Sequence, residues 1–168
     1  MRTSNNIGIK NLCEVAHHIL KKMPINAATK FAVRTIIREA VNKSNPGYKG
    51  NNNRKNCRYI SSGAKSLTSN KKEDLVADHA VPISLLLEEI YKEKDSITLD
   101  QLVKLLEKYS AMTLITRNED NLLIEKGLAK KMPIGWDGED IFARYKEAGI
   151  EVEPNPSLRQ PHPTPPEF

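Results

Sequence analysis

An acid and an imidazole stand side by side at Asp78 and His79, and these two residue types could share the work of a hydrolysis. A carboxylate is a hard oxygen donor that suits Mg²⁺, an ion that keeps several waters and needs few protein ligands. A neutral imidazole can take a proton from an attacking water near pH 7. The pair therefore predicts a metal ligand at Asp78 and a general base at His79. A lone Asp-His dipeptide is more often a structural or surface pair, so its surroundings have to decide.

The surrounding sequence predicts two strands and a helix that could position this pair. A strand is expected at 75–77, just before Asp78, and a second at 112–116. Two helices at 85–94 and 98–109 separate the strands, and a helix capped by Asn118 runs from there to about Gly127. Neighbours on a strand face opposite ways, so we expect the strand's twist and Pro82 to let both side chains reach one site.

Two segments of this region resemble a known family of nucleases. They are Asp-His-Ala-Val-Pro-Ile-Ser at 78–84 and Leu-Ile-Thr-Arg-Asn-Glu-Asp-Asn at 114–121. Both are similar to the HNH nucleases, also called ββα-metal or His-Me finger nucleases, and above all to the HNH domain of CRISPR RNA-guided nucleases. The resemblance covers roughly residues 72–133. It implies a ββα-metal hairpin and helix, and a divalent-metal-dependent endonuclease that hydrolyses phosphodiester bonds in DNA.

Carried over to this sequence, the resemblance implies that Asp78 and Asn121 bind Mg²⁺, Mn²⁺ or another divalent ion and that His79 is catalytic. Asn118 and Asp120 are alternative second ligands, and we favour Asn121 because Asn118 is expected to cap the helix. Arg117 stands where a phosphate contact would be useful. The zinc-binding cysteine pairs of many family members are missing from the sequence, so no structural zinc is expected, and Cys13 and Cys57 are interpreted as reduced thiols.

The first half of the sequence is strongly basic. Residues 1–80 hold 15 Lys and Arg against 5 Asp and Glu, whereas residues 81–168 hold 11 against 16. Helices are predicted at 11–22 and from Asn26, the second with the apolar stripe Phe31, Val33, Ile36, Ile37, Ala40 and Val41. The residues expected to contact nucleic acid are Lys30, Arg34, Arg38, Arg54, Lys55, Arg58, Arg117 and Lys130. A solvated helix face and a plain linker are the alternative interpretations of the first six.

The sequence as a whole predicts an α+β fold, a mainly helical single domain with a helical insertion between the strands of the hairpin. We divide it into a basic helical region at 1–70, a nuclease core at 71–150 and a tail at 151–168. Six prolines in that tail favour an extended segment without helix or sheet. No apolar run reaches the length of a membrane span, so a cytoplasmic protein is expected.

The expected partner is double-stranded DNA, and a homodimer would allow both strands to be cut. Restriction, homing, phage and defence roles all fit this activity. Two alternatives stay open. One is a ribonuclease or DNase toxin of the same fold with an immunity partner, and the other is a nucleic-acid-binding module without turnover.

Overall fold

A computed structural model describes residues 3–45, 57–67 and 74–157 of the chain. Its helices are α1 (Thr3–Lys22), α2 (Ala27–Lys43), α3 (Ser62–Ser66), α4 (Ile83–Lys92), α5 (Leu99–Tyr109), α6 (Arg117–Glu125) and α7 (Ala143–Ala148). Its strands are β1 (Tyr59–Ser61), β2 (Leu75–His79), β3 (Met112–Thr116) and β4 (Val152–Pro154). The prediction of a mainly helical α+β fold is confirmed.

Helix α2 begins where the sequence predicts and buries one side against α1 and α5. Asn26 is its N-cap, and the Asn26 and Thr29 side chains each accept a hydrogen bond from the other residue's backbone N–H. Val33 and Ile37 are fully buried on the inner side. The prediction that Phe31 belongs to this buried stripe is wrong, because its side chain is 72% exposed. Two residues correspond to about 200° around a helix, so Phe31 and Val33 lie on opposite sides.

The four strands form one sheet in the order β2-β3-β1-β4. β2 and β3 are antiparallel neighbours, although α4 and α5 separate them in sequence, and α6 follows β3 without a break. β1 pairs parallel to β3 and antiparallel to β4. The predicted order of strand, helical insertion, strand and helix is therefore present, with β2 at an edge of the sheet.

Asp78 and His79 both lie inside strand β2 and follow its regular register. Asp78 is paired with Thr113, and His79 is paired with Met112. Side chains alternate along a strand, so Asp78 and His79 lie on opposite faces of the sheet. The expected departure from strand geometry at this point is wrong, and the two side chains can share a site only around the edge of β2 that pairs with no described strand.

Two short strands, β1 and β4, were not predicted. The prediction that residues 151–168 contain no sheet is wrong for Val152–Pro154. β4 is an edge strand, where a proline at the end of the pairing is tolerated because it needs no backbone donor. Asn155 secures the segment further, since its N–H donates to the Arg58 carbonyl at 2.8 Å and its Nδ2 to the Cys57 carbonyl at 3.0 Å.

Helices α1, α2, α4 and α5 enclose one apolar core, and the sheet packs against α6 and α7 around another. Cys13 and Cys57 are buried and form no disulfide, as expected. Burial raises the pKa of Cys13 to about 11 and that of Cys57 to about 12, so both stay protonated at neutral pH. Among the helices in the described ranges, none is long and apolar enough to cross a membrane.

Candidate functional site

The His79 ring is held by a hydrogen bond from α2. Its Nε2 lies 3.0 Å from Oδ1 of Asn42, a residue that is itself buried. An amide oxygen can only accept a hydrogen bond, so with this orientation of the Asn42 amide Nε2 carries the proton. The neutral ring therefore has its lone pair on Nδ1. Asn42 was not predicted, and nothing local in the sequence signals it, because it lies 37 residues before His79.

The environment of His79 keeps the ring neutral. Burial lowers its pKa to about 4, and the positive charges of Arg38 and Arg144 add to this effect. At pH 7 the imidazole is therefore uncharged. A neutral ring with a fixed tautomer is the form that a general base requires.

Asp78 lies on the other face of β2 and is tied to two residues of α7. Its Oδ2 accepts hydrogen bonds from Nη2 of Arg144 and, at 2.7 Å, from the hydroxyl of Tyr145. Arg144 is fully buried, at 1% exposure, whereas the Asp78 side chain keeps 20%. Burial raises the pKa of Asp78, and the Arg144 guanidinium and the Tyr145 hydroxyl oppose that rise. Asp78 is thus the counter-ion of the buried Arg144 guanidinium.

Arg144 also fixes the backbone around the site. Its Nη2 donates to the His79 carbonyl at 2.6 Å, its Nε to the Ala80 carbonyl at 2.9 Å and its Nη1 to the Leu128 carbonyl at 3.0 Å. We did not predict this residue. The signal that could have found it is a charged residue in line with Ile141 and Ala148, at helical spacing on an apolar side.

The N-terminus of α6 is capped by Thr116, and the prediction that Asn118 caps it is wrong. The Thr116 hydroxyl accepts from the Glu119 N–H at 3.1 Å, and the Glu119 carboxylate accepts from the Thr116 N–H at 2.7 Å. Serine, threonine and asparagine all serve as caps, and the helix begins two residues earlier than the polar run suggests. Asn118 is exposed. The reason for preferring Asn121 to Asn118 as a metal ligand is thereby removed.

Of the candidate second ligands, Asp120 is the one with an observed relation to Asp78. Its negative charge contributes to the raised pKa of Asp78, so the two carboxylates are within electrostatic range. Asp120 is partly buried, whereas Asn118 and Asn121 are exposed on the outer side of α6. Asn121 is uncharged and has no corresponding effect on Asp78.

The donor set around Asp78 fits a hard divalent cation. The negative charge of Asp120 contributes to the raised pKa of Asp78, a cation beside both carboxylates would offset that repulsion, and Mg²⁺ needs only one or two carboxylates beside its waters. Within the described residues, no three side chains of the types His, Cys, Asp and Glu converge as a metal-binding group. The candidate set of Asp78 with Asp120 or Asn121 is thus a small one, with Oδ2 of Asp78 already bound to Arg144.

The predicted cations lie in different environments. Lys30, Arg34 and Arg38 are exposed in one row on α2, and Asn42 continues the row at the same four-residue spacing. The row therefore ends at the residue that holds His79. Lys130 is exposed, and its carbonyl accepts from the Ser84 hydroxyl at 3.3 Å, close to the end of β2.

Three of the predicted cations have contacts within the protein, and for Lys30 the Nζ atom lies over the Tyr91 ring, 6.0 Å from its centre. The Arg58 guanidinium is partly buried and donates to the Ser44 carbonyl at the end of α2, and burial lowers its pKa. Arg117 is exposed and forms an ion pair with Asp120, with 3.2 Å between Nη1 and Oδ2. Arg58 therefore has a structural role that the sequence did not suggest. Arg54 and Lys55 lie outside the described residues.

Comparisons with protein-family models, with curated proteins and with solved structures found no significant match to this chain.

Proposed function

We propose that this chain is a divalent-metal-dependent endonuclease that hydrolyses phosphodiester bonds in DNA. The observation that carries the proposal is the hydrogen bond that holds the His79 ring against Asn42, at the end of a row of cations. Lys30, Arg34 and Arg38 would contact successive phosphates, and the row leads to Asn42 and the imidazole. Phosphate contacts of this kind position a nucleic acid without reading its sequence.

In this mechanism His79 takes a proton from the attacking water on Nδ1. Asn42 holds the ring, and the hydrogen bond from Nε2 to its amide oxygen strengthens as the ring becomes positively charged. Burial and the nearby charges of Arg38 and Arg144 disfavour the imidazolium, so His79 binds the proton weakly, and a bound divalent cation would have to lower the pKa of the attacking water for the transfer to proceed.

The metal would be held by Asp78 together with Asp120 or Asn121. When bound, a divalent cation supplies positive charge that offsets the negative charge building on the phosphate and on the leaving oxygen. Arg144 orients the Asp78 carboxylate for this role through its own hydrogen bonds to β2. The variants Asp120→Asn and Asn121→Ala, assayed for the Mg²⁺ concentration that gives half-maximal cleavage, identify the second ligand.

The proposal is tested by cleavage of a supercoiled plasmid with Mg²⁺, with Mn²⁺ and with EDTA. We expect nicking or linearisation by the wild type only with metal, loss of cleavage in His79→Ala and a strong reduction in Asn42→Ala. His18→Ala is the matched control, because His18 is an exposed histidine on α1. Equal cleavage by His79→Ala and His18→Ala would contradict the proposal.

A non-catalytic nucleic-acid-binding module is the second candidate. It is favoured by one observation, the engagement of Asp78 Oδ2 by Arg144 and Tyr145, which leaves the carboxylate fewer positions for a metal. In that case the wild type binds DNA but cuts neither DNA nor RNA with any divalent ion, and His79→Ala binds equally well. A gel-shift assay run beside the plasmid assay separates the two candidates.

A further inference from the structure

Helix α2 carries an aromatic side chain among its exposed cations. Phe31 is 72% exposed. Arg34 and Arg38 follow it by three and seven residues and are exposed as well. These spacings place the three side chains on one side of the helix. A partner that covers the face of this ring would remove apolar surface from water, which is favourable.

This side of α2 leads directly to the candidate site. Asn42 follows Phe31 by eleven residues on the same side, and its side chain binds His79. Eleven residues of helix correspond to about 16 Å at 1.5 Å per residue. A strand of duplex DNA rises about 3.4 Å per nucleotide, so a duplex lying along α2 would place about five nucleotides between Phe31 and the phosphate that His79 would act upon.

The surrounding charges indicate what covers the ring. An apolar protein surface would strip water from Arg34 and Arg38 without compensating their charges, which is costly. A nucleic acid offers phosphates to both guanidinium groups and a flat base to the phenyl ring. Bases in a continuous duplex are stacked on their neighbours, so a side chain can take a base face only where a base is unpaired.

We propose that Phe31 stacks on an unpaired base, while Arg34 and Arg38 hold the phosphates between that base and the cleavage site. The preferred substrate is then DNA with a single-stranded tail or an interruption about five nucleotides from the scissile phosphate. This inference rests on the proposed nuclease function and specifies its substrate class.

The test compares two DNA probes of equal duplex length, one blunt and one with a single-stranded tail, by fluorescence anisotropy. Binding is measured in EDTA with the full chain carrying His79→Ala, so that no probe is cut. The His79→Ala protein with Phe31 unchanged should bind the tailed probe more tightly than the blunt one. Phe31→Ala and Phe31→Leu should weaken binding of the tailed probe by roughly five- to a hundredfold and leave the blunt probe unchanged.

Two controls isolate the aromatic face. Phe31→Trp should keep the preference for the tail, because it retains a ring. Val15→Ala removes an apolar side chain that is also about half exposed, on α1, and should bind both probes as the background does. Tight binding of the tailed probe by Phe31→Leu, or equal losses on both probes in Phe31→Ala, would overturn the inference.

The outcomes also separate this inference from the proposed function. If the wild type cuts plasmid and Phe31→Ala binds both probes normally, the nuclease stands and Phe31 has another partner, such as a protein. If the wild type binds neither probe and cuts no plasmid, the nuclease is rejected and the stacking site is rejected with it.

Discussion

At the scale of single residues, the chemistry of β2 depends on neighbours that are distant in sequence. His79 gains its tautomer from Asn42 on α2, and Asp78 gains its counter-charge from Arg144 on α7. Neither relation is visible in the Asp-His dipeptide itself. Each of them can be tested without assuming a substrate.

The lowered pKa of His79 predicts how stability depends on pH in the metal-free protein. The pKa is about 4 in the fold and 6.5 in the unfolded chain. Between these values the unfolded chain binds more protons than the folded one. The contribution of His79 to the free energy of unfolding is therefore fully present above about pH 6.5 and is lost as the pH falls towards 4. Urea unfolding in EDTA across this interval should show the decrease in the wild type.

His79→Gln is the control for this measurement, because glutamine keeps a polar side chain and does not titrate. Carboxylates that titrate at the lower end of the interval contribute equally to both proteins. The decrease should therefore be shallower in His79→Gln. Parallel curves for the two proteins would contradict the pKa assigned to His79.

The pairing of Arg144 with Asp78 predicts a strong energetic coupling. Arg144→Met leaves the Asp78 carboxylate partly buried without its cation and should lower the free energy of unfolding by about 3–5 kcal/mol. Asp78→Asn leaves the guanidinium fully buried without a counter-ion and should also destabilise. The double variant should lose less free energy of unfolding than the sum of the losses in the two single variants, as measured by urea unfolding. Additive losses would mean that the two charges do not depend on each other.

At the scale of elements, the position of α6 depends on its N-terminal cap. Thr116→Ala should lower the free energy of unfolding by about 1 kcal/mol, because it leaves the Glu119 N–H without its acceptor. Asn118→Ala is the matched control, since Asn118 is exposed and lies in the first turn of the same helix. Thermal or urea unfolding should show a loss in the first variant only. The opposite result would restore Asn118 as the cap.

The elements that could be predicted from sequence are those that local patterns define. The start of α2 at Asn26, the helix α5 and the β-prone run of β3 lie where the sequence places them. β1 and β4 were missed because each is three residues long and is stabilised by pairing with the other. Such pairing depends on long-range contacts, to which neither periodicity nor propensity is sensitive.

The residues of the candidate site are also only partly predictable from the sequence. Its two reactive residues could be identified from the sequence, because an acid beside an imidazole in a strand is a local feature. Asn42 and Arg144 could not, since they approach β2 from 37 residues before His79 and 66 residues after Asp78. Phe31 was assigned to the core from its apolar character, although its angular position on α2 places it outside.

At the scale of the whole molecule, the excess of positive charge in residues 1–80 predicts a salt-dependent affinity for DNA. Each phosphate contact contributes about 0.9 to the slope of log affinity against log salt concentration. Replacing Arg34 and Arg38 by glutamine should therefore reduce the slope by nearly two. Titrations of a fluorescent duplex at several salt concentrations measure it.

Lys104→Gln with Lys108→Gln provides the matched control for this experiment. The control removes the same amount of charge from exposed residues of α5, where no phosphate row is proposed. Its slope should stay close to that of the wild type. Equal reductions in both double variants would mean that only net charge matters.

The order in which the chain is synthesised determines when Arg144 can bind Asp78 and the backbone of β2. A ribosome releases Asp78 and His79 long before Arg144, which follows Asp78 by 66 residues and fixes the backbone of both His79 and Ala80. Until α7 has emerged, the edge of β2 has neither its buried counter-ion nor this backbone support. Asp78 and His79 therefore reach the arrangement described here only after α7 has been synthesised and has packed onto β2.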